Sequence, residues 1–476
     1  MSIRLLLKMK GVYIVRIFSG IKNGALLQRD SSGFCRCTFT AEVDGELKTT
    51  LGHIEKCGNN EYVLSAIPVG GPYELELYDD SKREHFELWV GDLWILAGQS
   101  NMEGAGCVTV EVENQAKEAG EFIRSYYLDS RWDKAVPVLH EPWLSPDDCL
   151  GGVWRKVRRE SVWQNEDPFS YCGNPVGLRA VGPGYYFAKR MFEITNVPQA
   201  VIPCALGGSF LDGWKKDSEN ENNLYGLMLR RFKETGSFIR GIFWDQGESE
   251  TYEGNDFTGK MIKFISDVRN DMNNPHLPFV QVQIAKTSIP SICSNPQSGI
   301  EWSRIKEEQR TLEEKIHVLK TVSAADADFE DMIHYSSQFQ QKMGIRAANA
   351  MAKLIGEGGF EPPYPAKITY RKDLEYSPFN YIFDIYYENV KELTADGTPS
   401  GFSVVPAGWD LKNIFNPSVG IQKIKINKNV VSLYTEVRDN PEDVWIFYGF
   451  GHMAHCNIST DTGFSLPAMG PVTVKG

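Results

Sequence analysis

An α/β fold with a mostly parallel sheet, flanked by β-rich regions at both ends, is the class this sequence predicts. Three observations carry it. Between residues 91 and 357, short apolar runs alternate with helical stretches. Strand, helix, strand, helix is the pattern of a parallel sheet with helices on both faces. Runs such as "IRGIFW" lack clean alternation, as strands buried on both faces do. Before 91 and after 357 the texture becomes β, with turn signals at glycine, proline and asparagine.

The elements follow in order. Residues 1–90 contain "RCTFTAEV", which alternates, "EYVLSAIPV", which is β-rich, and "GGPYELELYD", a glycine-proline turn leading into an alternating strand. The run "LWVGDLWILAGQSN" follows. The strand-like segments "PQAVIPCALGGS", "FIRGIFWDQGES", "LPFVQVQIA" and "IHVLKTVSAAD" are separated by "NNLYGLMLRRFKETG", "FTGKMIKFISDVRNDM" and "WSRIKEEQRTLEEK", with "FQQKMGIRAANAMAKLIG" last. These read as helices between strands. The stretch from about 107 to 180, rich in Trp, Pro and Asp, reads as a long excursion that builds substrate walls. A glycine-proline cluster at 356–365 marks a linker, and residues 358–476 return to strands with turns at "ADGT" and "NKN".

Composition narrows the function. With 476 residues the chain is long for one core, and 42% hydrophobic and 12% aromatic residues supply packed interiors. A net charge of −12 and the lack of a Lys/Arg run give no electrostatic case for binding nucleic acid. Neutral, polyhydroxylated ligands suit this surface better. The nine cysteines include no Cys-x-x-Cys, and Cys35 and Cys37 are too close for a zinc knuckle. A disulfide framework is not expected, and a reducing compartment is favoured. The N-terminal apolar stretch is interrupted by Lys8, Lys10 and Arg16 and is too short for a signal core. No run of about 18 apolar residues is available to span a membrane. The expected location is therefore cytoplasmic, or outside the cell if a leader was removed. Nothing in the sequence sets an oligomeric state.

In parallel α/β sheets, functional groups gather at the carboxyl ends of strands. Four such ends stand out: Ser100, the pair Gly207 and Gly208, the pair Gln246 and Glu248, and Asp326 or Asp328. Ser100 has an ordinary reading as a helix N-cap, with Glu103 at capping-box spacing. Its chemical reading is a nucleophile at a strand-to-helix turn, its own N–H aimed at a developing anion. The turn lacks the second glycine of a G-x-S-x-G elbow. His334, after the acids of "EDMIH", either caps the following helix or serves as the base. Asp331, three residues before it, is placed to hold one ring nitrogen, with Asp326, Asp328 and Glu330 as competitors. Gln246 is a candidate amide donor to an oxyanion, and Glu248 a candidate for ordering the loop or binding substrate hydroxyls. Gly207 and Gly208 either form a plain turn or offer a backbone N–H into the same hole.

Together, "GQSNM", "ALGGSFLDGW", "WDQGES" and "EDMIH" resemble the sialate O-acetylesterase family and its acetylxylan-esterase relatives among the SGNH hydrolases. "GALLQRD" and "LTADGTPSGF" extend the likeness to the flanking regions. The resemblance implies an SGNH three-layer α/β/α catalytic domain at 91–357, between β-rich regions at 1–90 and 358–476. It implies Ser100 as nucleophile, His334 as base and Asp331 as its acid partner. It implies oxyanion donors at Ser100, at Gly207 or Gly208, and at Gln246, with Asn101 and Glu248 in support. No metal or cofactor is implied, and the substrate would be a small O-acetylated carbohydrate. Sialate O-acetylesterase activity is the first expectation and acetylxylan or xylo-oligosaccharide esterase activity the alternative. A carbohydrate-binding protein with an inert site is the rival from another class. The chain departs from the family pattern in three places. Asp245 stands where an aromatic residue is usual, Ala97 replaces a serine, and Tyr335, Ser336 and Ser337 follow His334.

Overall fold

The computed structural model describes residues 15–474 except 44, 81, 151, 153–178, 375–376 and 413–418. The start of the segment read for a leader, and residues 151 and 153–178 of the 107–180 excursion, lie outside the described residues. The protein is mixed α/β with several sheets.

The organising element is a 16-residue strand, β1 (Arg83–Gly98), about 50 Å long at the usual rise per residue. It runs unbroken through the position where the composition changes. Its first residues are exposed and its last eleven buried. The outer half pairs with Gly70–Tyr78 and Ala25–Gln28. The inner half lies at the centre of the main sheet. Around it are β2 (Ile123–Tyr126), β3 (Trp132–Lys134), β4 (Gln199–Pro203), β5 (Gly241–Asp245), β6 (Phe279–Gln283) and β7 (Leu319–Ser323). Their spatial order is β3-β2-β4-β1-β5-β6-β7, parallel throughout except for the edge pair β3/β2.

Side-chain alternation along these strands feeds two separate cores. Leu93, Ile95 and Ala97 of β1 join Ile202 and Trp244 in one of them. That core also holds Leu227 and Met228 of a helix at Leu224–Glu234, Phe264 of one at Phe257–Asp271, and Trp302 and Ile305 of one at Pro296–Lys315. Trp94 and Leu96 face the other way, with Val201, Phe243, Val282 and Val322. There they meet Phe187 and Met191 of a helix at Gly184–Thr195 and Phe339 and Met343 of one at Ser337–Leu354. Strands with both faces apolar are what "IRGIFW" announced.

Two features differ from the sequence reading. Residues 123–134 are not part of an excursion: "IRSY" and "WDK" form the strands β2 and β3, with β3 at the edge of the sheet. Their polar residues hid them. Arg124 is buried because its guanidinium lies 3.9 Å from the Trp89 ring centroid and donates to the Gly24 carbonyl. The helix read from Trp302 begins earlier, at Pro296, where the Asn295 side chain accepts from the Gln297 N–H.

A third core lies in the C-terminal strands, with Phe383, Ile385, Val404, Leu433 and Ile446 at its centre. Buried polar groups fasten it to the main sheet. Gln283 of β6 exchanges hydrogen bonds with both backbone groups of Ala468. The Lys306 ammonium donates to the Gly449 and Gly451 carbonyls at 3.0 and 3.1 Å.

Candidate active site

The site begins where β1 and β5 end together. Gly98 pairs with Asp245, and the next N–H, of Gln99, donates to the Asp245 carbonyl at 2.8 Å. Gly98 has φ +136°. A methyl group there would stand 2.1 Å from that same carbonyl oxygen, so the position accepts only glycine. The chain then turns into a single helical turn, α1 (Ser100–Glu103).

Ser100 is the first residue of that turn and not its cap. Gln99 occupies the cap position, with an extended backbone and no side-chain cap bond. The capping-box reading fails for Glu103 as well. Its carboxylate accepts from the N–H of Gly207, tying the turn to the loop after β4. Burial pushes the Glu103 carboxyl up to about 7, against the Gly207 hydrogen bond that lowers it.

The Ser100 Oγ lies 3.0 Å from His334 Nε2. His334 Nδ1 lies 2.7 Å from Asp331 Oδ2, while Asp331 Oδ1 accepts the backbone N–H groups of Ile333 and His334, both at 2.8 Å. Burial would raise the Asp331 carboxyl. The His334 ring and the two amides overcome it and hold the group at about 2. The competing acids have other work. Asp326 is paired with Arg346 and Lys342. Asp328 accepts from the Ser336 hydroxyl. Glu330 accepts the N–H groups of Ser337 and Cys107.

Asn101 joins three loops. Fully buried, it donates from Nδ2 to Glu248 Oε1 at 3.0 Å and accepts the Tyr335 N–H at 3.1 Å. Its own carbonyl accepts from Gln340. Serine turn, β5 loop and histidine loop are thus pinned through one side chain adjacent to the nucleophile candidate.

Of the glycine pair, Gly207 packs against Ser100: a methyl group on it would stand 3.5 Å from Ser100 Cβ. Its N–H is taken by Glu103. Gly208 has φ +70° with open space around it. Gln246, expected to face an oxyanion, is fully buried. Its Nε2 donates to Glu250 Oε1 at 3.2 Å and to the Ser209 carbonyl at 3.4 Å. Glu250 was not singled out in the sequence. It also accepts from the Leu211 N–H and from Asn255, so one buried carboxylate gathers both loops beside Ser100. The acid two residues after Glu248 in "GESE" was the available signal.

Behind this layer sits a buried polar cluster. Both carboxyl oxygens of Asp245, Glu248 Oε2 and the Tyr335 hydroxyl are buried without a hydrogen-bond partner. Burial, and then the neighbouring Glu248 charge, push Asp245 well above the usual carboxylate range. Burial likewise raises Glu248, opposed by hydrogen bonds to its carboxylate and by the His334 charge. The departure at 245 therefore places an acid against the acid that supports Asn101.

Residues 90–353, more than half of the chain, match the family described as "Carbohydrate esterase, sialic acid-specific acetylesterase". An Arabidopsis thaliana protein named "Probable carbohydrate esterase" is 28% identical over 272 residues, covering 54% of this chain and 89% of its own length. The crystal structure of a protein from Xanthomonas citri, described as a novel carbohydrate acetylesterase, superposes with a TM-score of 0.68 at 16% identity. The match covers 96% of this chain and 99% of that one, a likeness of fold.

Proposed function

Because this chain belongs to the carbohydrate esterase, sialic acid-specific acetylesterase family, we propose that it is a serine-dependent O-acetylesterase acting on small acetylated carbohydrates. The observation that carries this reading is the continuous chain from Ser100 Oγ through His334 to Asp331, with contacts of 3.0 and 2.7 Å. Nucleophile, base and orienting acid stand in hydrogen-bond reach in the order acyl transfer needs.

In the proposed reaction, His334 Nε2 takes the Ser100 proton as Oγ adds to the acetyl carbonyl carbon. The tetrahedral oxyanion rests on the Ser100 N–H at the start of α1 and on the Gly208 N–H, since the Gly207 N–H already serves Glu103. Gln246 supplies a third donor by giving up the Ser209 carbonyl, at 3.4 Å the longer of its two hydrogen bonds. His334 then protonates the departing sugar oxygen, leaving acetyl-Ser100. Water, deprotonated by His334, attacks that ester and releases acetate. Asp331, ionised at working pH, stabilises the imidazolium of both halves. Asn101 and Glu248 hold the turn and the loops in register.

The finer assignments belong to the same proposal. We read residues 91–357 as an SGNH-type three-layer domain, supported by the separate cores on opposite faces of the sheet. The regions 1–90 and 358–476 are its β-rich flanks. O-acetylated sialic acid is the first substrate to test, because the family description names it. Acetylated xylo-oligosaccharide is the second, favoured by the sequence after His334. Acetate release from each, and from an aryl acetate, is measured with wild type and Ser100→Ala. Activity confined to wild type supports the reading, and equal release by the two proteins refutes it. Saccharide binding by wild type with no acetate released would instead establish the inert-site rival.

A further inference from the structure

Beside the glycine pair lies a cleft of about 660 Å³. It runs from Gly208 and Ser209 to Phe210, Asp212 and Tyr252. Gly208, part of its lining, directly follows Gly207, the glycine that packs on Ser100. Two of its walls are aromatic and face solvent: Phe210 is 50% exposed and Tyr252 41% exposed. Their ring centroids are 6.4 Å apart, with the planes at 59°. Large aromatic side chains left in water beside a reactive serine are not accounted for by packing.

The backbone at Phe210 and the ring of Tyr252 are held in place. Phe210 precedes Leu211, whose N–H donates to buried Glu250 at 2.7 Å. Tyr252 bonds through its hydroxyl to Asn255 at 3.2 Å and to the Lys260 ammonium at 3.1 Å. A fixed, exposed ring such as that of Tyr252 loses little entropy when a ligand covers it. The charged groups near the rings include Asp212, buried Glu250 and Lys260, whose ammonium lies 3.2 Å from Asp212 and 3.8 Å from Glu250, and Arg304, which donates to the Tyr252 carbonyl at 3.2 Å and is paired with Glu301 and Glu308. Among the described residues this corner carries an excess of negative charge, with polar atoms on its rim.

We propose that Phe210 and Tyr252 form a stacking subsite for an uncharged pyranose ring of the acetylated saccharide, with Asp212 and Lys260 meeting its hydroxyls. This rests on the esterase reading and specifies its substrate. The C–H face of a pyranose covers an aromatic ring, as ligand sites commonly pair aromatic walls with a few polar groups. A ring bearing a carboxylate would meet Asp212, while the nearby cations Lys260 and Arg304 are already paired with acids.

The test compares Phe210→Ala, Tyr252→Ala and Tyr252→Phe on acetylated xylo-oligosaccharide, O-acetylated sialic acid and 4-nitrophenyl acetate. The small aryl ester needs no sugar subsite, so it reports whether Ser100 and the fold are intact. The alanine variants are expected to raise KM for the xylo-oligosaccharide about tenfold, the size of one stacking contact. Their kcat/KM on the aryl acetate stays at the wild-type value, and Tyr252→Phe retains wild-type KM. Unchanged KM for the saccharide overturns the subsite. Equal losses on the aryl ester overturn it in favour of a structural role. A larger rise for the acetylated sialic acid overturns the uncharged assignment. Failure of the parent reading looks different: wild type then releases acetate from no saccharide, and the subsite falls with it.

Discussion

Replacing Asp245 by asparagine should stabilise this protein near neutral pH while leaving it unchanged in acid. In the folded state the Asp245 carboxyl is fully buried, neither oxygen has a hydrogen-bond partner, and Glu248 stands beside it. Burial is the larger cause of its raised pKa and the Glu248 charge the second. In the unfolded chain the same group titrates near 3.8. The folded state therefore binds a proton that the unfolded state has lost, and stability falls as pH rises from about 4 toward the folded pKa. Each pH unit in that window costs between about 1 and 2 kcal/mol. Asparagine has the shape of the protonated acid, carries no titrating proton, and offers an N–H₂ to the unpartnered Glu248 Oε2. Wild type and Asp245→Asn should thus unfold at the same urea concentration near pH 4. Above pH 4 the variant should pull ahead, by about 1–2 kcal/mol for each pH unit until the folded pKa of wild type is reached. Urea titrations followed by tryptophan fluorescence at pH 4, 5.5, 7 and 8.5 measure the difference. A variant less stable at pH 7, or a gap that does not change with pH, would refute the reasoning.

Asp331→Asn should lower kcat on an aryl acetate by about 10³–10⁴-fold, because the His334 tautomer is no longer set. Circular dichroism should report an unchanged fold, and near-wild-type turnover would remove Asp331 from the triad. Since Asp331 is held at about 2, its share of stability is complete above the ordinary carboxylate range and is lost as pH falls toward 2. The Asp331→Asn variant should therefore lose the steepest part of the acid-unfolding profile, read by urea midpoints between pH 2 and 5. Asn101→Ala breaks the links to Glu248 and the Tyr335 N–H. It should cost about 2–4 kcal/mol of stability and reduce kcat more than it changes KM. Retained kcat would show that the loops keep their register without it. Gly98→Ala forces a methyl group to 2.1 Å from the Asp245 carbonyl at φ +136°. It should destabilise by more than about 4 kcal/mol, and soluble, fully active protein would contradict the stated β1/β5 approach.

Much of this architecture is legible in the sequence because it rests on local rules. Apolar strands without alternation, separated by helical stretches, led to β4, β5, β6 and β7 and to most of the helices beside them. β2 and β3 escaped because "IRSY" buries polar side chains whose partners lie elsewhere, and "WDK" is a three-residue strand with only its tryptophan buried. Arg124 is apolar in effect only because Trp89 covers it. No residue-by-residue pattern contains that neighbour. The same limit applied to the site. Ser100, His334 and Asp331 were nameable from their motifs, whereas the bond from Glu103 to Gly207 joins residues 104 apart and breaks the expected capping box.

The sequence by itself determined the order of the apolar strands and of most helices between them, the family, and a nucleophile candidate at the end of an apolar strand. These follow from periodicity, from glycine at a forced turn, and from residue types in fixed local spacing. Tertiary structure alone decided which acid faces His334. Four candidates lie within nine residues of it, and three are taken by Arg346 with Lys342, by Ser336, and by Ser337 with Cys107. It also decided which glycine N–H remains uncommitted beside Ser100, and that Asp245 is buried against Glu248. Hydrogen-bond partners and desolvation depend on which distant segments the fold brings together, and short-range spacing carries no information about that.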